Sequence, residues 1–83
     1  MDVVISEHAR FEMIRRRVSE EMMLNVIQDP QQIVELSKKR TAYQSRCYDP
    51  AKGKEMLLRA ICEERHGTIF VVAVYKTSKV EKY

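Results

Sequence analysis

The spacing of apolar residues changes once along the chain, from a helical repeat to an alternating one. After a short apolar lead-in, Val3-Val4-Ile5, the pair Ser6-Glu7 has the form of an N-cap with an acid in the first turn, where the helix dipole favours negative charge. This predicts a first helix from Glu7 to about Arg16. Ala9, Met13 and Arg16 or Arg17 share one stripe of it, and His8, Glu12 and Arg16 share a neighbouring stripe at spacing four. His8 and Arg16 therefore project from the same side. Val18-Ser19-Glu20-Glu21 starts a second helix, with Ser19 as N-cap and Val18 placed to pack on Met23 as a hydrophobic staple. Met22, Met23, Val26 and Ile27 form its core-facing stripe, and Asp29-Pro30 ends it because a proline ring disfavours helical geometry in the preceding residue.

Beyond Pro30 the period becomes two. Ile33–Leu36, Thr41–Tyr48, Met56–Glu63 and Thr68–Tyr75 read as strands, and Ser37–Arg40, Asp49–Lys54 and Glu64–Gly67 supply the turns. The expected fold class is α+β: two N-terminal helices packed on one face of a roughly four-stranded antiparallel sheet. Hairpins taken as symmetric about their turns pair Tyr48 with Met56, Ser45 with Arg59, Glu63 with Thr68 and Arg59 with Val72. One face then collects Tyr43, Ser45, Cys47, Leu57, Arg59 and Ile61 and meets the helices. The other, with Gln44, Arg46, Leu58, Ala60, Cys62 and Tyr75, stays open as a working surface. Arg59 and Tyr75 fall on opposite sides in this register, so either Arg59 sits at the edge of the core with a partner or a bulge changes the register.

With 83 residues, 45% of them hydrophobic and 33% charged, the chain has room for one core, and a single domain over residues 1–83 is expected. No apolar stretch reaches the roughly 18 to 20 residues of a membrane span, and Met-Asp-Val-Val lacks the basic-then-apolar order of a leader, so the cytoplasm is the default location. Cys47 and Cys62 lack CxxC spacing and lie far apart in the assumed register, which predicts reduced thiols. His8 and His66 stand alone without zinc-like spacing, so neither a metal nor another cofactor is expected. The net charge of +3 is unevenly placed: residues 1–36 hold four basic and seven acidic residues, and residues 37–83 hold eleven basic and five acidic. The second half is thus the electropositive one, suited to phosphate or an acidic partner.

The order Ser6-x-His8-Ala9, Met13-x-x-Arg16, Val18-Ser19-Glu20-Glu21, the Asp29-Pro30 break, Leu58-Arg59 in a strand and Val71-Val72-Ala73-Val74-Tyr75-Lys76-Thr77-Ser78-Lys79 resembles a family of small proteins related to the RelE/ParE toxins of bacterial toxin–antitoxin systems. The similarity runs from Ser6 to Tyr83. It implies a RelE/ParE toxin-like fold, messenger RNA cleavage, often on the ribosome, or inhibition of DNA gyrase in some branches, and silencing by an antitoxin protein. Matching motif positions carry over His8, Arg16, Arg59 and Tyr75 as candidate catalytic residues and Lys76, Ser78 and Lys79 as candidates for nucleic-acid binding, to which Arg46 on the open sheet face and the aromatic Tyr83 are added from their own chemistry. Two positions depart from the pattern: Glu12 stands where relatives often have a basic residue, and Ala73 where many have Thr.

These residues have plausible work of their own. Cleavage by 2′-OH attack needs a proton acceptor, cations on the phosphate and a donor for the leaving 5′ oxygen. His8 could be base or acid, Tyr75 or Tyr83 could donate a proton or stack on a base, and Arg16, Arg59, Lys76 and Lys79 could clamp phosphate. Bland roles compete with each. His8 could simply hold the helix on the sheet, Arg15-Arg16-Arg17 could be a solvated turn, Arg59 a structural ion pair with Glu12, Tyr75 an amphipathic plug, and Lys76–Lys79 a solubilising tail. The expectation is a metal-independent endoribonuclease or RNA-binding toxin with an acidic antitoxin as partner. The alternative is a non-catalytic protein-binding module acting on gyrase or as an assembly partner, with self-association left open.

Overall fold

The protein is described here by a computed structural model covering residues 2–80, so Tyr83 lies outside the described residues. The elements are β1 (Asp2–Ile5), α1 (Glu7–Arg15), α2 (Glu20–Gln28), β2 (Gln32–Glu35), β3 (Thr41–Asp49), β4 (Lys54–Arg65) and β5 (Thr68–Thr77). Both expected N-caps form: Ser6 accepts from the Ala9 amide at 3.0 Å and Ser19 from the Met22 amide at 3.1 Å. Val18 and Met23 are buried in one cluster, as a staple requires.

The sheet departs from the expected meander. Among the described residues it has five strands in the order β1-β5-β4-β3-β2, and β1 runs parallel to β5. The lead-in Val3-Val4-Ile5 is therefore an edge strand and not a preamble. It pairs Val3 with Ile69 and Ile5 with Val71, and Val3 and Ile5 pack against the core under the helices. The sheet is mixed, with the remaining pairs antiparallel.

The register also differs from the symmetric one, and the cause lies in two turns. His66 (φ +52°) and Gly67 (φ +79°) alone bridge β4 and β5, with Arg65 opposite Thr68. Two consecutive positive φ values define the two-residue turn whose twist suits a hairpin. At the other end a four-residue loop closes on Asp49 opposite Lys54, with Gly53 at φ +63°. Each turn is shorter than assumed: the β3–β4 loop moves the register by one residue, which in a period-two strand changes faces, and the β4–β5 turn moves it by two, which does not. Leu58, Ala60 and Cys62 consequently pack under the helices with Tyr43, Cys47, Val71 and Val74, while Arg59 points to the far side.

A bulge completes the correction. Ile61 pairs with Ala73 and Cys62 with Val71, leaving Val72 as the extra residue. Continued without it, the register would set Val74 opposite Arg59 and turn Tyr75 towards the helices. With it, Arg59 and Tyr75 are direct cross-strand partners on the face away from α1 and α2. Cys47 and Cys62 share the helix-covered face, but Cys47 pairs with Met56, six residues from Cys62 and thus about 20 Å along β4. Both are free thiols.

Candidate functional site

The candidate catalytic residues divide between the two sides of the sheet. On the far face a polar row crosses four strands, with Gln32 opposite Gln44, Gln44 opposite Arg59 and Arg59 opposite Tyr75. Gln44 Nε2 donates to Gln32 Oε1 at 2.9 Å, Arg59 Nε donates to Gln44 Oε1 at 2.8 Å, and Arg59 Nη1 donates to the Tyr75 hydroxyl. The Arg59 guanidinium also lies 5.7 Å from the Tyr75 ring centroid, within cation–π range. Arg59 is only 3% exposed and Gln44 only 1%. This arrangement satisfies a buried cation by giving it acceptors on both neighbouring strands, as burial of a polar group demands.

His8 and Arg16 belong to the other layer. His8 is exposed on α1, and Arg16 caps the same helix eight residues on, about 12 Å along the axis. Arg16 Nε donates to Glu12 at 2.8 Å and Arg15 Nη2 to the same carboxylate at 3.2 Å. The Arg16 bond, with Arg15 and His8 nearby, holds Glu12 below the ordinary glutamate range against the opposing effect of burial. Glu12 thus pairs with the arginines of its own helix, and Arg59 is bound elsewhere.

What the helix layer does assemble is a basic cleft of about 300 Å³, where the end of α1, the β3–β4 turn and β5 meet. Arg15, Arg16, Arg17, Lys52 and Lys76 line it together with Asp49. Lys76 faces the helix side because it pairs with Leu58. Its ammonium sits 3.6 Å from Asp49, and both side chains are nearly buried. Asp49 in turn accepts from the Ala51 amide at 3.0 Å, which shapes the turn carrying Lys52. Burial would raise Asp49, but the Ala51 amide, Lys76 and the Lys52 amide together hold it below the ordinary aspartate range. Both acids of this corner are therefore ionised near neutrality. Five cations against Glu12 and Asp49 leave a formal charge of +3.

Arg17 enters this cleft by an unusual backbone. It has φ +57°, its amide donates to the Ile14 carbonyl at 3.3 Å, and the Val18 amide donates to the Met13 carbonyl at 2.8 Å. These two bonds are the helix terminus that normally carries glycine, since an L residue held left-handed costs roughly 1–2 kcal/mol. Sequence reasoning identified Arg16 and Lys76 but left Arg15 and Arg17 as a solvated turn and Lys52 as a turn residue. The triple arginine directly before Val18, with no glycine to end the helix, was the signal available.

The other candidates stand apart from this corner. Arg46 is exposed and pairs with Glu55 at 3.4 Å, and Ser78 and Lys79 are exposed beyond β5. A larger groove of about 520 Å³ between α2 and β3 includes Met22, Asn25, Ser45, Arg46 and Cys47. Burial pushes the Cys47 thiol up, away from the thiolate a nucleophile needs. Among the described residues no group of three or more His, Cys, Asp or Glu could hold a metal ion, and no helix is long and apolar enough to cross a membrane.

Fold and cleft together define a small α+β domain with a mixed five-stranded sheet and one strongly basic corner. The chain belongs to the DUF4258 family, described as a domain of unknown function, whose model matches residues 5–76. No curated protein and no solved structure matches it significantly.

Proposed function

We propose that this protein is the RelE/ParE toxin-like component of a toxin–antitoxin pair and that it holds RNA by its phosphates without cutting it. The observation that carries the reading is the convergence of Arg15, Arg16, Arg17, Lys52 and Lys76 from three elements on one cleft. Arginine and lysine are the side chains that neutralise nucleic-acid phosphates, and most affinity for such a backbone is electrostatic. The division of His8 and Arg16 from Arg59 and Tyr75 favours binding over cleavage, since a proton acceptor and the cations must meet around one phosphate.

Incubation of the purified protein with a single-stranded RNA tests this directly. Binding should weaken steeply with salt, with a slope of about 0.7 per phosphate contact, and the RNA should keep its length. Absence of binding at low salt refutes the reading, and shortened RNA replaces it with a nuclease. Lys76→Ala should flatten the slope by about one contact, whereas Lys79→Ala should change it less, because Lys79 is exposed and outside the cleft.

The partner fitted to such a surface is an acidic, partly disordered antitoxin that covers the cations. Phe11 and Ile14, 62% and 75% exposed on α1, favour a protein partner as well and support the competing reading of a protein-binding module acting on gyrase or another assembly. Co-purification from the native operon distinguishes them: an acidic partner displaced by RNA supports the toxin reading, and a partner indifferent to RNA supports the module.

A further inference from the structure

We infer that the basic cleft is a receptor for the terminal phosphomonoester of a nucleic-acid strand, and that Arg17 is the residue that reads it. This rests on the RNA-binding reading of the same cleft and deepens it.

The shape of the charge points to an end group. The cations come from the end of α1, from the β3–β4 turn and from β5, so they surround a point and do not follow a track. At about 300 Å³ the cleft lies at the lower limit of ligand pockets, roughly 300–1,000 Å³, and among the described residues no aromatic side chain lines it. A phosphate with its sugar fits that space, and a stacked base has no platform there. A phosphomonoester carries about −1.5 to −2 at neutral pH, which matches a formal +3 better than the single charge of an internal diester.

The cations also differ in commitment. Glu12 holds Arg15 and Arg16, and Asp49 faces Lys76. Arg17 and Lys52 form no ion pair among the described residues, which leaves their donors for a ligand. Of these two, Arg17 has the planar fork suited to two phosphate oxygens at once. Its left-handed backbone, where glycine would end the helix without strain, is accounted for if the guanidinium is needed at that place.

The test uses one short single-stranded RNA with an internal fluorophore, prepared with a 5′-phosphate, a 3′-phosphate or hydroxyls at both ends. Anisotropy should show one phosphorylated form binding about tenfold more tightly than the hydroxyl form, and the preferred form identifies the end recognised. The preference should fade below about pH 6, where the monoester takes up its second proton. Facing the ligand are Arg15, Arg16 and Arg17 at the end of α1, Asp49 and Lys52 from the turn, and Lys76 from β5, with Glu12 paired to Arg15 and Arg16; Glu12 and Asp49, held below the ordinary carboxylate range, stay ionised there. Arg17→Gly should abolish the preference while raising the melting temperature, and Arg17→Lys should restore part of it. Equal binding of the three RNAs, or a preference that survives Arg17→Gly, overturns this inference and leaves the RNA-binding reading standing. Failure of every RNA to bind overturns both.

Discussion

Replacing Arg59 asks whether the far-face row is a structural tie or a catalytic remnant. Arg59→Ala removes two stem methylenes from a residue only 3% exposed, a loss of about 1.6 kcal/mol at about 0.8 each. It also deprives Gln44 Oε1 of the donor at 2.8 Å, worth about 1–3 kcal/mol in a buried setting, and removes a cation–π contact worth up to about 2. Relief from burying a guanidinium offsets several kcal/mol of this, so a net loss of about 2 kcal/mol is expected. A domain of 83 residues has roughly 4–12 kcal/mol in all, at about 0.05–0.15 per residue, and its melting point moves by about 4–8 °C per kcal/mol. Thermal and urea melts should therefore place Arg59→Ala about 8–16 °C below the parent. Arg59→Met restores most of the stem and should lie between the two, still binding RNA like the parent. An alanine variant that melts within about 4 °C of the parent refutes the structural tie. A methionine variant that folds but no longer binds returns Arg59 to the functional site.

Two further outcomes follow from the turns and the carboxylates. Arg65 and then Arg40 hydrogen-bond Glu63 and hold it below its ordinary value of 4.5, so its contribution is fully present above that pH and is lost as pH falls through the folded value. Melting temperature should thus be flat from neutrality to about pH 5 and drop on further acidification, and Glu63→Gln should lower the neutral value while blunting the acid drop. Gly67→Ala meets no atom within 4 Å but must hold φ +79°, which predicts a loss of about 1–2 kcal/mol in a urea melt, whereas His66→Asn, at φ +52°, should be neutral or stabilising.

The helices were legible because their signals are local. Ser6 and Ser19 cap within three residues, Val18 meets Met23 within five, and Pro30 stops α2 by sterics alone. The four longer-range strand assignments held for the same reason, as alternation and turn residues lie close in sequence. What failed depended on distant partners. Four residues of β1 resemble any apolar lead-in until β5 lies beside them, and nothing near Val3 announces a strand more than sixty residues away. The register failed by small counts, since the Asp49–Lys54 loop and the bulge at Val72 each shift the pairing by one residue and so change a face, while the His66-Gly67 turn shifts it by two. That error carried into the site, for Arg59 and Tyr75 are partners only after the bulge. Arg16 and Lys76 were legible as cations, but their union with Arg17 and Lys52 required the β3–β4 turn to fold against the end of α1.

The measurement that bears most directly on the account is an NMR titration of the isotopically labelled protein with a short single-stranded RNA, followed by backbone amides and arginine Nε–H signals. The account predicts that shifts concentrate at Arg15, Arg16, Arg17, Lys52 and Lys76, and that the Arg59 signal and the amides of Gln44 and Tyr75 stay in place. Shifts confined to the Gln44–Arg59–Tyr75 face, or none at all under saturating RNA at low salt, contradict it.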